Sequence, residues 1–354
     1  MDIRRIPTPA LVLDRAAFEK NADAMTALLA GSTLALRPHY KSHKCAAIAK
    51  WQVAHGAKGM TCAKLSEARD LADCGVEDIL IANQITDPRK IRELADLAGD
   101  CRLTVCVDDE ANAKALSVAA QAAGTRIHCL VEYEIGMNRC GVTDPEQVVA
   151  LAKTVAALPG LEFDGVQAYA GHLSHTVSET ERAEKTAENS GKLRRLLAML
   201  ADAGVPAKTL SGGSTGTAAI KAAEGLYTEL QAGSYLFMDS TYRDLGLVFE
   251  NSLFLLTTVV SVREGLVVVD AGVKTCGVDQ GMPKVLDHTV REIVASEEHF
   301  QLHGLSGDVK PGDRLLLVPG HCCSTVNLHE KIYLLDEAGQ VLDRLLITGR
   351  GVGR

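Results

Sequence analysis

The sequence lacks the features of membrane, secreted and nucleic-acid-binding proteins. None of its 354 residues belongs to an apolar run of membrane-spanning length, and the N-terminus has no apolar core of a signal peptide. The formal net charge of −8 disfavours nucleic acid or an anionic membrane as a partner. Hydrophobic and charged fractions of 47% and 23% are typical of a soluble globular enzyme.

The ten cysteines contain no CxxC pair. Several of them stand inside apolar, strand-like runs, where a cysteine behaves as a small hydrophobic residue. This pattern predicts free thiols and a reduced, cytoplasmic protein.

Short apolar runs alternate with amphipathic, helix-like segments eight times before residue 240. Such alternation is typical of a parallel sheet, and eight units indicate a closed (β/α)8 TIM-like barrel, with an open doubly wound sheet as the alternative. The predicted strands are 34–41, 59–63, 78–83, 102–108, 127–134, 163–171, 207–211 and 227–231, and the predicted helices include 64–74, 88–97, 109–123, 145–158 and 179–203.

After residue 239 the pattern changes to strands joined by short turns. It predicts a C-terminal all-β domain, completed by an N-terminal strand at 10–13. We therefore predict a barrel domain over 14–240 and a β-domain formed by 1–13 and 241–354. The strands predicted in the C-terminal part are 253–262, 266–270, 299–304, 314–318 and 331–336.

Lys41 stands at the predicted carboxyl end of the first strand. Catalytic groups of a β/α barrel collect where the strands end, so a lysine there is a candidate catalytic residue. In a closed site its amine can lose a proton and form a Schiff base with an aldehyde such as pyridoxal phosphate. An ordinary solvated lysine is the alternative.

A glycine-rich segment follows the seventh predicted strand. It is neither a Walker A loop nor a GxGxxG motif, but glycines let the backbone approach an anion, and barrels commonly bind phosphate after strands seven and eight. A flexible turn is the alternative. Tyr235, after strand eight, could add a hydroxyl group. The other candidate phosphate-binding residues are Gly213, Ser214, Thr215, Gly216 and Thr217.

Strands five and six end in further polar residues. Arg139 follows strand five between glycines, where it could pair with a phenolate or carboxylate, or be a plain surface charge. Tyr169, His172 and His175 lie at the end of strand six. Histidine is the commonest general base because its pKa lies near neutrality, although a structural role for each histidine is equally open.

A candidate metal motif occupies residues 319–328 of the β-domain. On an extended strand His321 and Cys323 would face the same side, and imidazole with thiolate suits Zn²⁺. Because closed structural sites use four ligands, a catalytic site with open positions fits two ligands better. Ordinary buried thiols at Cys322 and Cys323 are the alternative.

Taken together, these motifs resemble the fold-type III pyridoxal-phosphate enzymes, in the branch of D-threonine aldolase, 3-hydroxy-D-aspartate aldolase and eukaryotic-type D-serine dehydratase. The resemblance implies an alanine-racemase-type barrel plus β-domain, normally a homodimer with sites near the subunit interface. The segments that carry it are 8–11, 37–44, 136–141, 167–175, 212–217, 229–235 and 320–328.

The resemblance also implies a role for each candidate residue. Lys41 would be the Schiff-base lysine, Arg139 would contact the phenolic oxygen of the cofactor, and Tyr169 would contact its pyridine ring. The segment 213–217 with Tyr235 would bind the phosphate. A divalent metal (Zn²⁺, Mn²⁺ or Mg²⁺) held by His321 and Cys323 would lie beside the β-hydroxyl of the substrate.

The implied reaction is cleavage or dehydration of D-3-hydroxy amino acids. His175 matches the histidine that deprotonates the hydroxyl in the aldolases, which favours retro-aldol cleavage to glycine and an aldehyde. At the position of Cys323 the zinc-binding dehydratases also have a cysteine, whereas an aspartate is expected in the aldolases. A D-serine or D-3-hydroxyaspartate dehydratase is therefore the alternative. A racemase is disfavoured because the tyrosine base of the opposite face has no clear counterpart here.

Two other classes share parts of this pattern. The small pyridoxal-phosphate homeostasis proteins have the barrel but no β-domain, and the long chain after residue 239 argues against them. A barrel enzyme that binds a different phosphate compound is the second rival.

Overall fold

The structure, a computed structural model, describes residues 2–351. Its strands are β1 Ala10–Asp14, β2 Ala35–Leu36, β3 Met60–Cys62, β4 Asp78–Ile81, β5 Arg102–Val107, β6 Ile127–Glu132, β7 Leu161–Ala168, β8 Thr209–Gly212, β9 Glu229–Leu230, β10 Leu253–Arg263, β11 Leu266–Val269, β12 Lys284–Val285, β13 Glu292–Ala295, β14 Phe300–His303, β15 Arg314–Val318, β16 Lys331–Leu335 and β17 Val341–Leu346. Its helices are α1 Arg15–Leu29, α2 Ala46–Ala54, α3 Leu65–Asp73, α4 Pro88–Leu97, α5 Glu110–Ala123, α6 Pro145–Ala157, α7 Glu179–Asp202, α8 Ala218–Glu224, α9 Ser240–Arg243 and α10 Cys322–Val326.

The chain divides into two compact units. One contains Leu28–Lys41 and Ile48–Gly233, and the other contains residues 2–27, Ser42–Ala47 and Ser234–Gly351. We call them the barrel unit and the β unit. The predicted boundaries at 13/14 and 240/241 stay a prediction, and its terminal residues 1 and 352–354 lie outside the described part of the chain.

The barrel unit contains the predicted closed parallel sheet. Its eight strands pair in the order β2-β9-β8-β7-β6-β5-β4-β3, and each pair is parallel. Two backbone hydrogen bonds of 2.8 Å, from Lys58 N to Leu36 O and from Thr61 N to Pro38 O, join the two end strands. The sheet is therefore a ring, which excludes the open doubly wound alternative.

Local sequence explains where several helices of the barrel unit begin. Asp87 and Asp144 accept hydrogen bonds from the first turns of α4 and α6, and each is followed by a proline at the first helical position. An aspartate cap and a proline there satisfy or remove the backbone N–H groups that lack helical partners. The predicted starts at residues 88 and 145 are confirmed for this reason.

The β unit contains the predicted all-β domain. Strand β1 pairs with β10 in antiparallel and with β16 in parallel orientation, so the N-terminal strand completes the sheet as expected. Its core includes Val12, Phe254 and Tyr333, which meet across these three strands. Strands β12, β13 and β17 were not predicted.

The cysteines behave as the sequence predicts. Within residues 2–351 none of the ten forms a disulfide, and Cys62, Cys106 and Cys129 are fully buried within strands of the barrel. Burial raises the pKa of the Cys129 thiol, which keeps it neutral and unreactive. Among residues 2–351 no helix is both long and apolar enough to cross a membrane.

A buried ion-pair network ties together the amino-terminal ends of the barrel strands. Arg37 donates two hydrogen bonds of 3.0 Å to Glu229 and two more of 3.0 Å to Asp78. Burial alone would raise the pKa of Glu229, but the Arg37 guanidinium outweighs this effect and holds that pKa below its usual value. Arg37 therefore compensates two carboxylates from two different strands.

We predict that Arg37→Ala destabilises the protein by about 3–5 kcal/mol, because Asp78 loses two hydrogen bonds and the buried Glu229 keeps only Lys58 as a charged partner. The free energy of unfolding from urea titration measures this loss. Arg89→Ala serves as the control, since the Arg89 side chain is 84% exposed in its ion pair with Asp87, and such pairs contribute about 0–1 kcal/mol. Equal losses in the two variants would contradict the role of the network.

Candidate active site

Lys41 lies beyond the end of the first barrel strand. We predicted a strand over 34–41, but β2 ends at Leu36, and Lys41 lies in the 3-10 turn Tyr40–Ser42. The N–H groups of Arg37 and His39 still donate to the carbonyls of Leu230 and Ala232, so the backbone stays paired beyond β2 as far as His39. The Tyr40 side chain is fully buried and its hydroxyl donates to Asp70, so the turn is anchored beside Lys41.

A polar cavity of about 160 Å³ opens at the carboxyl edge of the barrel. It brings together three of the predicted site residues, Lys41, Arg139 and Tyr169. Lys41 Nζ lies 5.9 Å and Arg139 Cζ 5.6 Å from the centroid of the Tyr169 ring. The other lining residues are His39, Ala63, Ala82, Asn83, Gln84, Glu132, Cys140, Gln167 and Gln231.

The loop that carries Arg139 is held by two carboxylates. Glu134 Oε1 accepts hydrogen bonds from the backbone N–H groups of Gly136 and Asn138 at 2.7 and 2.8 Å. Asp108 Oδ2 accepts from the N–H of Gly141 at 2.9 Å. Arg139 is therefore presented to the cavity by a fixed loop, which favours the binding role over that of a plain surface charge.

Glu132 and Gln84 line the same cavity and were missed by the sequence analysis. Burial raises the pKa of Glu132, whereas a 2.6 Å hydrogen bond from Gln84 Nε2 and the nearby charge of Arg139 oppose that rise. Glu132 is the last residue of β6, so its strand-end position was the signal that could have identified it.

The two histidines that follow β7 have different surroundings. The ring of His172 packs against the Arg139 loop, since a Cβ added to Gly136 would lie 2.7 Å from its Cε1 atom. Burial lowers the pKa of His172. His175 is half-buried and follows the 3-10 helix Gly171–Leu173. These surroundings leave both histidines open as candidate bases.

The glycine-rich segment forms a tight cradle after β8. Gly213 has a φ of +73°, and a Cβ on Gly216 would lie 2.1 Å from the carbonyl oxygen of Ser174. Ser214 Oγ and Thr217 Oγ1 are 3.1 Å apart and hydrogen-bonded. The buried hydroxyl of Thr215 has no hydrogen-bond partner in the described part of the chain. A donor without a partner inside a backbone cradle fits a phosphate group.

Tyr235 belongs to the β unit, whereas the cradle belongs to the barrel unit. It lies in the 3-10 helix Ser234–Leu236 and is 2% exposed. Its ring centroid is 5.9 Å from that of Phe249. Its contribution to phosphate binding stays a prediction.

The metal motif is not an extended strand. His321 is extended, but α10 begins at Cys322, so our premise that alternation directs His321 and Cys323 to one face was wrong. Asp239 Oδ2 accepts the N–H of Cys322 at 3.1 Å and thereby stabilises the first turn. This cap comes from a distant part of the chain, so local sequence did not reveal it.

His321 and Cys323 nevertheless lie close together in the β unit. Burial alone would lower the pKa of His321, but hydrogen bonds with Cys323 and Asp279 raise it to about 9. Within residues 2–351 no group of three or more His, Cys, Asp or Glu side chains is arranged to hold a metal. The motif thus offers two ligands, and their imidazole–thiol chemistry fits a divalent metal that replaces the shared proton.

Comparison with known proteins identifies the family. The model of the alanine racemase N-terminal domain matches residues 13–241, and that of a putative serine dehydratase domain matches residues 252–335. The chain therefore belongs to the alanine racemase N-terminal domain family. This family supports pyridoxal phosphate as the cofactor, and the resemblance inferred from the sequence motifs is confirmed.

Two curated relatives are aldolases of D-amino acids. The chain is 41% identical to D-threonine aldolase of Arthrobacter sp, over 99% of this chain and 95% of the relative. It is 39% identical to 3-hydroxy-D-aspartate aldolase of Paracoccus denitrificans strain Pd 1222, over 100% of this chain and 94% of the relative.

Solved structures of an aldolase and of a dehydratase are similar to this chain. D-threonine aldolase from Filomicrobium marinum superposes with a TM-score of 0.96 at 38% identity, covering 99% of this chain and 97% of that one. A cysteine-to-alanine mutant of D-threo-3-hydroxyaspartate dehydratase, in its metal-free form, superposes with a TM-score of 0.88 at 26% identity, covering 98% of both chains.

We predict that Thr215→Val weakens pyridoxal-phosphate binding by about 10–100-fold, since a hydrogen bond to a charged group contributes about 1.5–3 kcal/mol. Equilibrium titration of the cofactor-free protein measures the dissociation constant. Thr154→Val on α6 is the control, because that residue lies outside the cradle. Unchanged affinity of Thr215→Val would reject the phosphate contact.

Proposed function

We propose that this protein is a pyridoxal-phosphate- and divalent-metal-dependent lyase that cleaves D-3-hydroxy amino acids to glycine and an aldehyde. The observation that carries the proposal is the cavity in which Lys41, Arg139 and Tyr169 meet at the carboxyl edge of the barrel. The aldolase activity of the relatives gives the reaction type.

The residues of the barrel unit account for cofactor binding. Lys41 would hold the aldehyde carbon, Arg139 the phenolic oxygen, and the cradle at 213–217 the phosphate. Pyridoxal phosphate, when bound, supplies a ring that accepts the electron pair of the bond broken at the substrate Cα. Tyr169 lies beside both Lys41 and Arg139 and would pack against that ring.

Proton transfer is assigned to two residues of the chain. In retro-aldol cleavage His175 takes the proton of the β-hydroxyl group, the Cα–Cβ bond breaks, and the aldehyde leaves. In dehydration Lys41 instead takes the Cα proton, and hydroxide leaves from Cβ. The choice between these two first proton transfers separates aldolase from dehydratase.

The metal requirement rests on His321 and Cys323, which would hold Zn²⁺, Mn²⁺ or Mg²⁺. A divalent metal, when bound, supplies a Lewis acid that makes a hydroxyl group easier to deprotonate. A thiolate ligand favours Zn²⁺ over the harder ions, and Cys323 is therefore the observation that favours the second candidate, a D-serine or D-3-hydroxyaspartate dehydratase. The homodimer and the cytoplasmic location stay predictions.

We expect the purified protein to show the visible absorbance of lysine-bound pyridoxal phosphate and Lys41→Ala to lack it, because no other residue would replace the amine at that position. Lys50→Ala on α2, an exposed lysine, is the matched control and should keep the band. A wild-type protein without the band after incubation with the cofactor would reject the proposed cofactor.

We predict that His175→Ala slows glycine formation by about 10²–10⁴-fold, the usual contribution of a general base, and slows release of ammonia much less. D-threonine, D-serine and D-3-hydroxyaspartate are offered to the metal-loaded enzyme, and glycine plus aldehyde is assayed against keto acid plus ammonia. His55→Ala, at an exposed histidine, is the control. Equal loss of both products would refute the assignment of His175.

A further inference from the structure

Asp279 forms hydrogen bonds with two residues of the metal motif, His321 and Ser324. Its Oδ2 lies 2.7 Å from Nδ1 of His321, and its Oδ1 accepts a 2.5 Å hydrogen bond from the hydroxyl of Ser324. The Asp279 side chain is 51% exposed, whereas that of His321 is only 19% exposed. Both carboxylate oxygens are thus engaged by the segment that carries the two proposed ligands.

The backbone next to Asp279 is fixed against the same segment. The N–H of Gly277 donates to Thr325 Oγ1 at 3.0 Å, and that hydroxyl donates to the carbonyl of His321 at 2.8 Å. A Cβ on Gly277 would lie 2.0 Å from Ser324 Oγ, so only glycine allows this approach. The backbone beside Asp279 is therefore fixed to the segment that carries His321.

The hydrogen bond determines which ring nitrogen of His321 is available to a metal. An ionised carboxylate can only accept, so Nδ1 of His321 carries the proton that it donates to Asp279. In the neutral ring the other nitrogen, Nε2, then carries the lone pair that a metal can bind. Metal-binding histidines commonly donate their second nitrogen to a carboxylate, which fixes the tautomer and the ring orientation.

We propose that Asp279 is a positioning residue that holds His321 in the Nδ1–H tautomer and so prepares Nε2 to bind the metal together with Cys323. The proposal rests on the proposed metal dependence and adds a residue to that site. Asp279 acts through His321, with Ser324 fixing the orientation of the carboxylate.

The test measures the affinity of the pyridoxal-phosphate-loaded protein for Zn²⁺ by competition with a chromogenic chelator. Asp279→Ala should weaken binding by about 10–100-fold, the usual cost of removing a partner of a metal-binding histidine. Asp279→Asn should lose less, because its amide oxygen can accept the same hydrogen bond. Asp308→Ala, at an exposed aspartate of the β unit, is the matched control and should bind as the wild type does.

Cobalt provides a second readout that does not depend on activity. At saturating Co²⁺ the thiolate-to-metal absorbance should persist in Asp279→Ala, because Cys323 is still present, and should disappear in Cys323→Ala. The unfolding midpoint of the metal-free Asp279→Ala protein should match that of the wild type, while the increase caused by Zn²⁺ should shrink. A lowered midpoint of the metal-free protein with unchanged affinity would identify a merely structural role and overturn the proposal.

The same affinity measurements distinguish an error in the role of Asp279 from an error in the proposed metal site. Wild-type affinity in Asp279→Ala, with weakened binding in His321→Ala and Cys323→Ala, would overturn the role of Asp279 and leave the metal site intact. Equal binding by the wild type, His321→Ala and Cys323→Ala would remove the metal site itself and the inference with it. If Asp279→Asn binds Zn²⁺ as weakly as Asp279→Ala does, the account based on the hydrogen bond is overturned.

Discussion

The closure of eight parallel strands into a ring is the constraint on which the candidate site depends. The backbone bonds from Lys58 to Leu36 and from Thr61 to Pro38 complete the ring. Because all strands run the same way, each of them ends at the same edge, and residues far apart in sequence arrive there together. Lys41, Arg139 and Tyr169 follow three different strands and line one cavity for this reason.

In both units, carboxylates hold the backbone segments that carry candidate site residues. Glu134 and Asp108 accept backbone N–H groups of the Arg139 loop, and Asp239 accepts the N–H of Cys322 at the start of α10. A backbone segment held in this way keeps a side chain in place without long helical or strand support. Charged hydrogen bonds suit this task because they are stronger than neutral ones.

The residues that stabilise the barrel and the residues of the candidate site lie at opposite ends of its strands. The Arg37 network lies at the amino-terminal ends of the barrel strands, whereas the cavity lies at their carboxyl ends. Buried ion pairs there satisfy the carboxylates of Asp78 and Glu229, whereas polar residues line the cavity at the other end of the strands. This division is typical of β/α barrels, in which one face stabilises and the other reacts.

The amino-acid sequence by itself determined the alternation of strands and helices, the helix starts at Pro88 and Pro145, and the candidate residues at strand ends. These features depend on local periodicity and capping, which a single segment contains. The sequence could not reveal that β2 stops at Leu36 or that α10 replaces a strand. Nor could it reveal that Glu132 and Gln84 line the cavity or that Asp279 contacts His321. Those features depend on contacts between segments distant in sequence, such as Asp239 with Cys322 and Asp279 with His321, and only the tertiary structure brings these partners together.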